Sequence, residues 1–402
     1  MTLQEERFPS SRAPGLLELE PIIFGAPFIG EEEIAEVVDT LRSGWLGTGP
    51  KTKLFESLFA RYVGQEQAVA TNSCTAALHL SLDALDVGPG DEVITTPLTF
   101  VATANAIEHC GATPVFVDVR PHDGNLDPEQ VAAAVTPRTK AILAVHYCGA
   151  PADVHALQRA HPHIPIVVDA AHAIEARYED GSASGTAGTL VAYSFYVTKN
   201  LVTGEGGMVV SADPDLLQKI RIRSLHGLDN DAWKRYSSGV YAEYEVDYPG
   251  FKYNMTDLQA SLGLHQLKRI EESWLARCRL WNQYTHAFEA MPSVSLLPLS
   301  PVQGKQRHAL HLFTLLIDWK EAGLDRSELV TDLHRLGIGT GWHFRAVHLH
   351  RYYSKKYGLA RGMLPVAEGI SERSISIPLS AALTESDAER IIMAVAETVN
   401  YG

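Results

Sequence analysis

Cysteine is scarce: four residues in 402, Cys74, Cys110, Cys148 and Cys278, none in CxxC spacing. That excludes a zinc ribbon and a disulfide scaffold, and it fits a reducing, cytoplasmic setting. Basic charge is also in deficit, with 34 Lys and Arg against 48 Asp and Glu and a formal net charge of -14. With no dense basic run and no interleaved aromatics, the chain cannot neutralise a phosphate backbone, so nucleic acid is excluded as a partner. Nowhere do about 18 apolar residues run together, the length a membrane span requires. The opening MTLQEERFPSSRAPGLLELE carries charges of both signs and no apolar stretch of the leader type. The expectation is a chain that neither enters a membrane nor is secreted. No internal repeat or low-complexity tract stands out.

What is present is core-forming material, 46% hydrophobic over 402 residues, enough for one large and one smaller domain. From residue 67 short apolar, β-branched runs alternate with helix-length segments: QAVATNS, DEVITTPL, TPVFVDV, KAILAVHY, PIVVDAAHA, LVAYSFYV and GMVVSAD. Parallel strands need long crossover connections and are buried on both faces, so this pattern predicts an α/β fold with a mostly parallel sheet. CTAALHLSLDALDVGPGDE reads as a buried helix ended by Gly-Pro-Gly. Near residue 258 the pattern changes to one long helical stretch, DLQASLGLHQLKRIEESWLARCRLWNQYTHAFEAM, followed by Pro-rich connectors and an α+β region. The predicted organisation is a large domain over 30–265, a small C-terminal domain over 266–402 and an N-terminal segment over 1–29.

The chemistry-bearing candidates sit where these strands end. Lys199 lies between the predicted strand LVAYSFYVT and the turn TGEGG; burial there disfavours the ammonium and yields the neutral amine a carbonyl condensation requires. A lysine that merely reaches solvent from a strand end reads the same way. Asp169 closes PIVVDAAHA, where a buried carboxylate needs a cationic partner such as a protonated pyridine nitrogen; helix capping is the alternative. His172, three residues on, either bonds a ring hydroxyl or packs. In TNSCTAALHL a strand runs into a helix through Ser73, Cys74 and Thr75. Such a junction offers free N–H groups and a helix dipole to a phosphate, although ordinary capping also explains these residues. Ser194 offers a further hydroxyl, and Phe100 in TTPLTF either covers a planar ring or fills the core. A phosphate cradle, an aromatic cover, an acid and a lysine, each at a strand end, match where open α/β sheets bind ligands.

The segments SGWLGTGPKTKLFE, TNSCTAALHLSL, GDEVITTPLTFVATANAI, VDAAHA, SFYVTKNLVTGEGGMV and PGFKYNMTDLQASLGLHQL together resemble the DegT/DnrJ/EryC1/StrS family of sugar-nucleotide aminotransferases, almost end to end. The resemblance implies the aspartate aminotransferase fold, fold type I of the pyridoxal phosphate enzymes, and pyridoxal 5'-phosphate as cofactor. It implies that Lys199 bonds the cofactor aldehyde, Asp169 faces the pyridine nitrogen and His172 lies by the ring hydroxyl. Cys74, Thr75 and Ser194 would hold the phosphate, and Phe100 would stack on the ring. Relatives with histidine in place of the lysine are sugar dehydratases, so Lys199 implies amino transfer. HYCGAPADVHAL, HGLDNDAWKRY and GIGTGWHFRAVHLHRYY look most like the branch that aminates C4 of a nucleotide-linked keto sugar, such as the one leading to UDP-4-amino-4-deoxy-L-arabinose. There the histidine at position 343 approaches the substrate. L-glutamate as donor and a homodimer with shared active sites are further implications. Amination at C3, dehydration and a non-catalytic regulatory role are the rivals, the last opposed by intact Lys199 and Asp169. Many members read GYNYRMTD where this chain reads GFKYNMTD; their asparagine at the position of Lys252 crosses the dimer interface to the cofactor phosphate, so Lys252 is expected to reach an anion, either that phosphate or the sugar diphosphate, with a different geometry. The Trp233 to Tyr248 segment also departs from typical members.

Overall fold

In a computed structural model of the chain, residues 20–228, 245–246, 248–297 and 300–400 are described. Most of the Trp233 to Tyr248 segment, and the end of HGLDNDAWKRY, lie outside them. All seven apolar runs form strands: β1 (Ala68–Thr71), β2 (Glu92–Thr95), β3 (Thr113–Phe116), β4 (Thr139–Val145), β5 (Ile166–Asp169), β6 (Leu190–Ser194) and β7 (Gly207–Val210). They make one sheet in the order β1-β7-β6-β5-β4-β2-β3. β7 alone runs antiparallel to its neighbours, and the remaining pairs are parallel. The α/β fold with a mostly parallel sheet is therefore as the runs predict.

Alternate residues of each strand feed two separate cores. Val167, Ala192 and Val209 face one, with Leu78, Leu80 and Leu217. Val168, Val191, Met208 and Val210 face the other, with Phe55, Phe59, Phe195 and Leu264. Both faces are covered, which is why the runs lack a polar stripe. The covering helices include α1 (Glu31–Ser43), α2 (Pro50–Tyr62), α3 (Cys74–Ala84) and α4 (Val101–His109). α3 begins where the Ser73 hydroxyl accepts from the Ala76 amide at 3.1 Å, the expected capping chemistry.

Two expectations shift. The strand over LVAYSFYVT stops at Ser194, because its neighbour β5 ends at Asp169, opposite Ala192; a turn closed by Lys199 N–H on the Tyr196 carbonyl follows, at 2.9 Å. The long helical stretch is two helices, Asp257–Lys268 and Ile270–Phe288. Arg269 breaks the run at φ -102°, ψ 12°, its guanidinium drawn to Glu33 at 2.5 Å and the Phe28 carbonyl at 3.1 Å. Beyond them, Val294–Leu296, Phe313–Ile317 and Ser374–Ile377 form an antiparallel sheet with Phe313–Ile317 in the middle. Its core takes Trp281, Tyr284 and Phe288 from one helix, Ile391 and Val395 from another, and Ile22 from the N-terminal segment. Ile22 is held by backbone bonds to Gly337 and Gly339.

Candidate active site

Strand register gathers the candidates at one edge of the large sheet. Thr71, Gly207 and Ser194 lie side by side at the ends of β1, β7 and β6. Just beyond Thr71 the chain enters α3 through Ser73, and a first-turn helix amide has no carbonyl behind it. The Cys74 and Thr75 amides are thus presented to this edge, and both side chains are partly exposed. A Cβ on Gly207 would stand 2.6 Å from the Ser73 carbonyl and 2.7 Å from the Cys74 nitrogen. Only glycine lets β7 pass this close to the cradle. The buried Ser194 oxygen accepts from the Tyr196 amide at 3.3 Å, which leaves its proton free to be donated. Lys252 lies in the adjoining strip, where Asn254 bridges Thr71 and the Asn72 amide side chain reaches the Lys252 carbonyl at 3.2 Å. Its ammonium is exposed and donates to Asn254 Oδ1 at 2.7 Å.

Asp169 ends β5 as a buried carboxylate. Thr103 donates to Oδ2 at 2.8 Å and the Ala171 amide to Oδ1 at 3.1 Å, yet among the described residues no cationic side chain pairs with it at ion-pair distance. Burial accordingly outweighs these two bonds and holds its pKa above the ordinary value. His172 is also buried, and its Nδ1 has no hydrogen-bond partner among the described residues. Phe100 is the residue before α4, 59% exposed, and its ring meets Phe344 at 6.0 Å.

Lys199 faces a wall of neutral histidines. Desolvation lowers its pKa from 10.5 to about 8, against the opposing influence of Cys74, Asp169 and Cys148. His311 Nε2 lies 3.5 Å from its Nζ and packs against the His172 ring at 4.4 Å. Phe344 stacks on His172 at 5.8 Å and 17°. His343 stands beside Phe344 and on Phe24, at 5.0 and 5.2 Å, with Nδ1 2.9 Å from Ser376 Oγ. Burial, helped by the Lys199 charge, lowers its pKa to about 3. The structure thus brings Lys199, Asp169, His172, Ser194, Phe100, the Cys74–Thr75 cradle and His343 to one edge. It leaves the Lys252 ammonium on Asn254. Among the described residues no group of three His, Cys, Asp or Glu could hold a metal ion.

Sequence reasoning misses five residues here: Thr103, Asn200, His311, Glu175 and Arg277. Thr103, in the first turn of α4, could have been found from its spacing to Thr99 four residues earlier, just ahead of that helix; the two hydroxyls meet at 2.7 Å. Glu175 carried a signal too, as an acid flanked by the apolar AI and A in AAHAIEA.

The residues present fit a flat, phosphorylated pyridine aldehyde. The cradle suits its anion, the unpaired Asp169 its ring cation, and the orphaned His172 nitrogen a ring hydroxyl; Phe100 offers a face and Lys199 an amine. Comparison with known proteins agrees in kind. Over 379 residues the chain is 48% identical to the spore coat polysaccharide biosynthesis protein SpsC of Bacillus subtilis, covering 94% of this chain and 96% of that one. Helicobacter pylori PseC, an aminotransferase involved in the biosynthesis of pseudoaminic acid, superposes with a TM-score of 0.87 at 28% identity, over 95% of this chain and all of that one. Spr1654 of Streptococcus pneumoniae, solved in PLP and PMP forms, gives TM-scores of 0.85 and 0.86 at 33% and 34% identity, over 95% and 94% of this chain and 99% of that one. Residues 27–396 match the family profile, and the chain belongs to the DegT/DnrJ/EryC1/StrS aminotransferase family.

Proposed function

We infer that this chain, a pyridoxal phosphate-dependent sugar aminotransferase, moves the amino group of L-glutamate to C4 of a nucleoside-diphosphate-linked keto sugar. One observation carries the reading: a desolvated lysine with its pKa lowered to about 8 lies within electrostatic reach of a buried carboxylate with which, among the described residues, no cationic side chain pairs at ion-pair distance. The roles of SpsC, in spore coat polysaccharide biosynthesis, and of PseC, in pseudoaminic acid biosynthesis, support a sugar as acceptor.

When bound, pyridoxal phosphate supplies an aldehyde that takes up the amino group and a ring that holds the electron pair left by a breaking C–H bond. Asp169, ionised, keeps the pyridine nitrogen protonated, and the Thr103 hydroxyl and Ala171 amide orient that carboxylate. Cys74 and Thr75 amides with the Thr75 and Ser194 hydroxyls would hold the phosphate; His172 would bond the ring hydroxyl and Phe100 would cover the ring. Lys199 would hold the aldehyde at rest. Its Nζ, when neutral and free, would accept the proton from the glutamate α-carbon and, in the reverse half, would return one to the sugar carbon. His343 touches the sugar. Lys252 serves an anion, either the cofactor phosphate or the sugar diphosphate, across a homodimer interface. The exposed apolar residues Ile34, Leu41, Leu46 and Leu54 near α1 and α2 support such an interface.

The test is incubation with glutamate and a panel of UDP-, dTDP- and GDP-linked 4-keto and 3-keto sugars, read by mass spectrometry. The reading expects a 4-amino product. A 3-amino product, loss of water, or no reaction with any member of the panel overturns it.

A further inference from the structure

We propose that His311 positions the Lys199 amine, as a fixed hydrogen-bond acceptor whose tautomer is set by a buried chain running through Asn200 and Glu175 to Arg277. The proposal rests on the reading of Lys199 as the reacting amine.

The chain can be followed atom by atom. Arg277, on the helix Ile270–Phe288, is buried and pairs with Glu175 Oε1, while its Nε donates to the Leu310 carbonyl at 3.1 Å. Glu175 Oε2 accepts from Asn200 Nδ2 at 2.9 Å, and the same Nδ2 donates to the Ala309 carbonyl at 2.9 Å. Both hydrogens of that amide are therefore committed, one to a carboxylate and one to a carbonyl, neither of which can donate. This fixes the flip of the amide and leaves Oδ1 as the atom 3.1 Å from His311 Nδ1. An amide oxygen only accepts, so Nδ1 carries the ring proton. Nε2 is then a bare lone pair, and it is the nitrogen 3.5 Å from Lys199 Nζ.

The consequence is directional. The Lys199 amine can give one N–H to His311, which fixes rotation about its last bond and turns the remaining lone pair away from the histidine. A charged imidazolium there could not accept. Burial, first of all, and the Lys199 and Arg277 charges keep the ring neutral. His172, packed against His311, has no hydrogen-bond partner at its Nδ1 among the described residues, so the two adjacent rings do different work. Because His311 lies just before the strand Phe313–Ile317, between Leu310 and Phe313 of the second core, the chain also ties that core to the reacting lysine.

The test uses the full chain and two variants: His311→Phe, which keeps a ring and removes the acceptor, and His311→Gln, whose side-chain oxygen can replace it. In the cofactor-free protein, nuclear magnetic resonance of isotope-labelled histidine rings is expected to show a signal, absent in His311→Gln, with protonated Nδ1 and bare Nε2. In the glutamate half-reaction of the holoenzyme, His311→Phe is expected to lower the single-turnover rate about tenfold, the worth of one hydrogen bond, with the glutamate KM unchanged. His311→Gln is expected to restore most of that rate. A bare Nδ1 in the parent protein overturns the proposal even if the Phe variant does not fold. So does a rate that falls equally in both variants, or in neither. A parent protein that shows no half-reaction with glutamate refutes instead the function on which the proposal rests, and the ring spectrum then still decides the tautomer.

Discussion

Asp169 and Glu175 follow one another closely at the end of β5, and both are buried carboxylates, yet the fold treats them oppositely. Glu175 is completed by the chain itself, with Arg277 on one oxygen and Asn200 on the other. Asp169 receives a hydroxyl and an amide but no cation among the described residues, and its pKa is raised by burial. A buried pair is neutral to its surroundings, whereas a buried lone carboxylate costs stability unless something positive arrives. The same contrast divides the histidines: both ring nitrogens of His311 have partners, while His172 Nδ1 has none among the described residues. Incompleteness marks the part of the site that a bound group finishes, and completeness marks its support.

Substitutions can break that distinction. Glu175→Gln should have the largest effect on the fold, a loss of about 3–5 kcal/mol in urea unfolding, because it leaves the Arg277 charge buried and uncompensated. Asp169→Asn should leave the cofactor-free protein at least as stable as the parent. Its effect appears only in the glutamate half-reaction, about 10²–10³-fold slower by single-turnover absorbance, since the ring cation loses its counter-charge. If instead both substitutions unfold the protein equally, the two carboxylates are alike and the contrast is wrong.

Acid–base behaviour sharpens it further. A lysine whose pKa falls from 10.5 unfolded to about 8 folded means that the unfolded chain binds more protons between these values, so stability rises with pH across that window. Below about pH 8 the penalty is full. Urea unfolding of the cofactor-free parent from about pH 7 to about pH 10 should gain stability relative to Lys199→Met, in which that rise disappears. The smallest effect belongs to Thr103→Val, which removes one hydroxyl from Asp169. The half-reaction should slow about fivefold, equivalent to about 1 kcal/mol, with the melting temperature nearly unchanged.

The sequence was readable where the physics is local. Seven strands followed from apolar runs, the entry to α3 from Ser73, and the crowding of polar residues at strand ends from the parallel topology. The support was not readable, because it depends on contacts between distant residues of ordinary type. His311 meets Asn200 across 111 positions and Arg277 meets Glu175 across 102. The break at Arg269 was invisible for the same reason: its partner Glu33 lies 236 residues away, and helical periodicity continues through the site. Lys252 sits in a motif that reads clearly, while its side chain bonds Asn254, a neighbour that sequence spacing alone did not single out.

The most direct measurement is borohydride reduction of the protein loaded with pyridoxal phosphate, followed by peptide mapping. The account predicts one pyridoxyl mass increment per chain, on Lys199, in the parent protein and in Asp169→Asn alike. An increment on Lys252 or another lysine, or none at all, contradicts it.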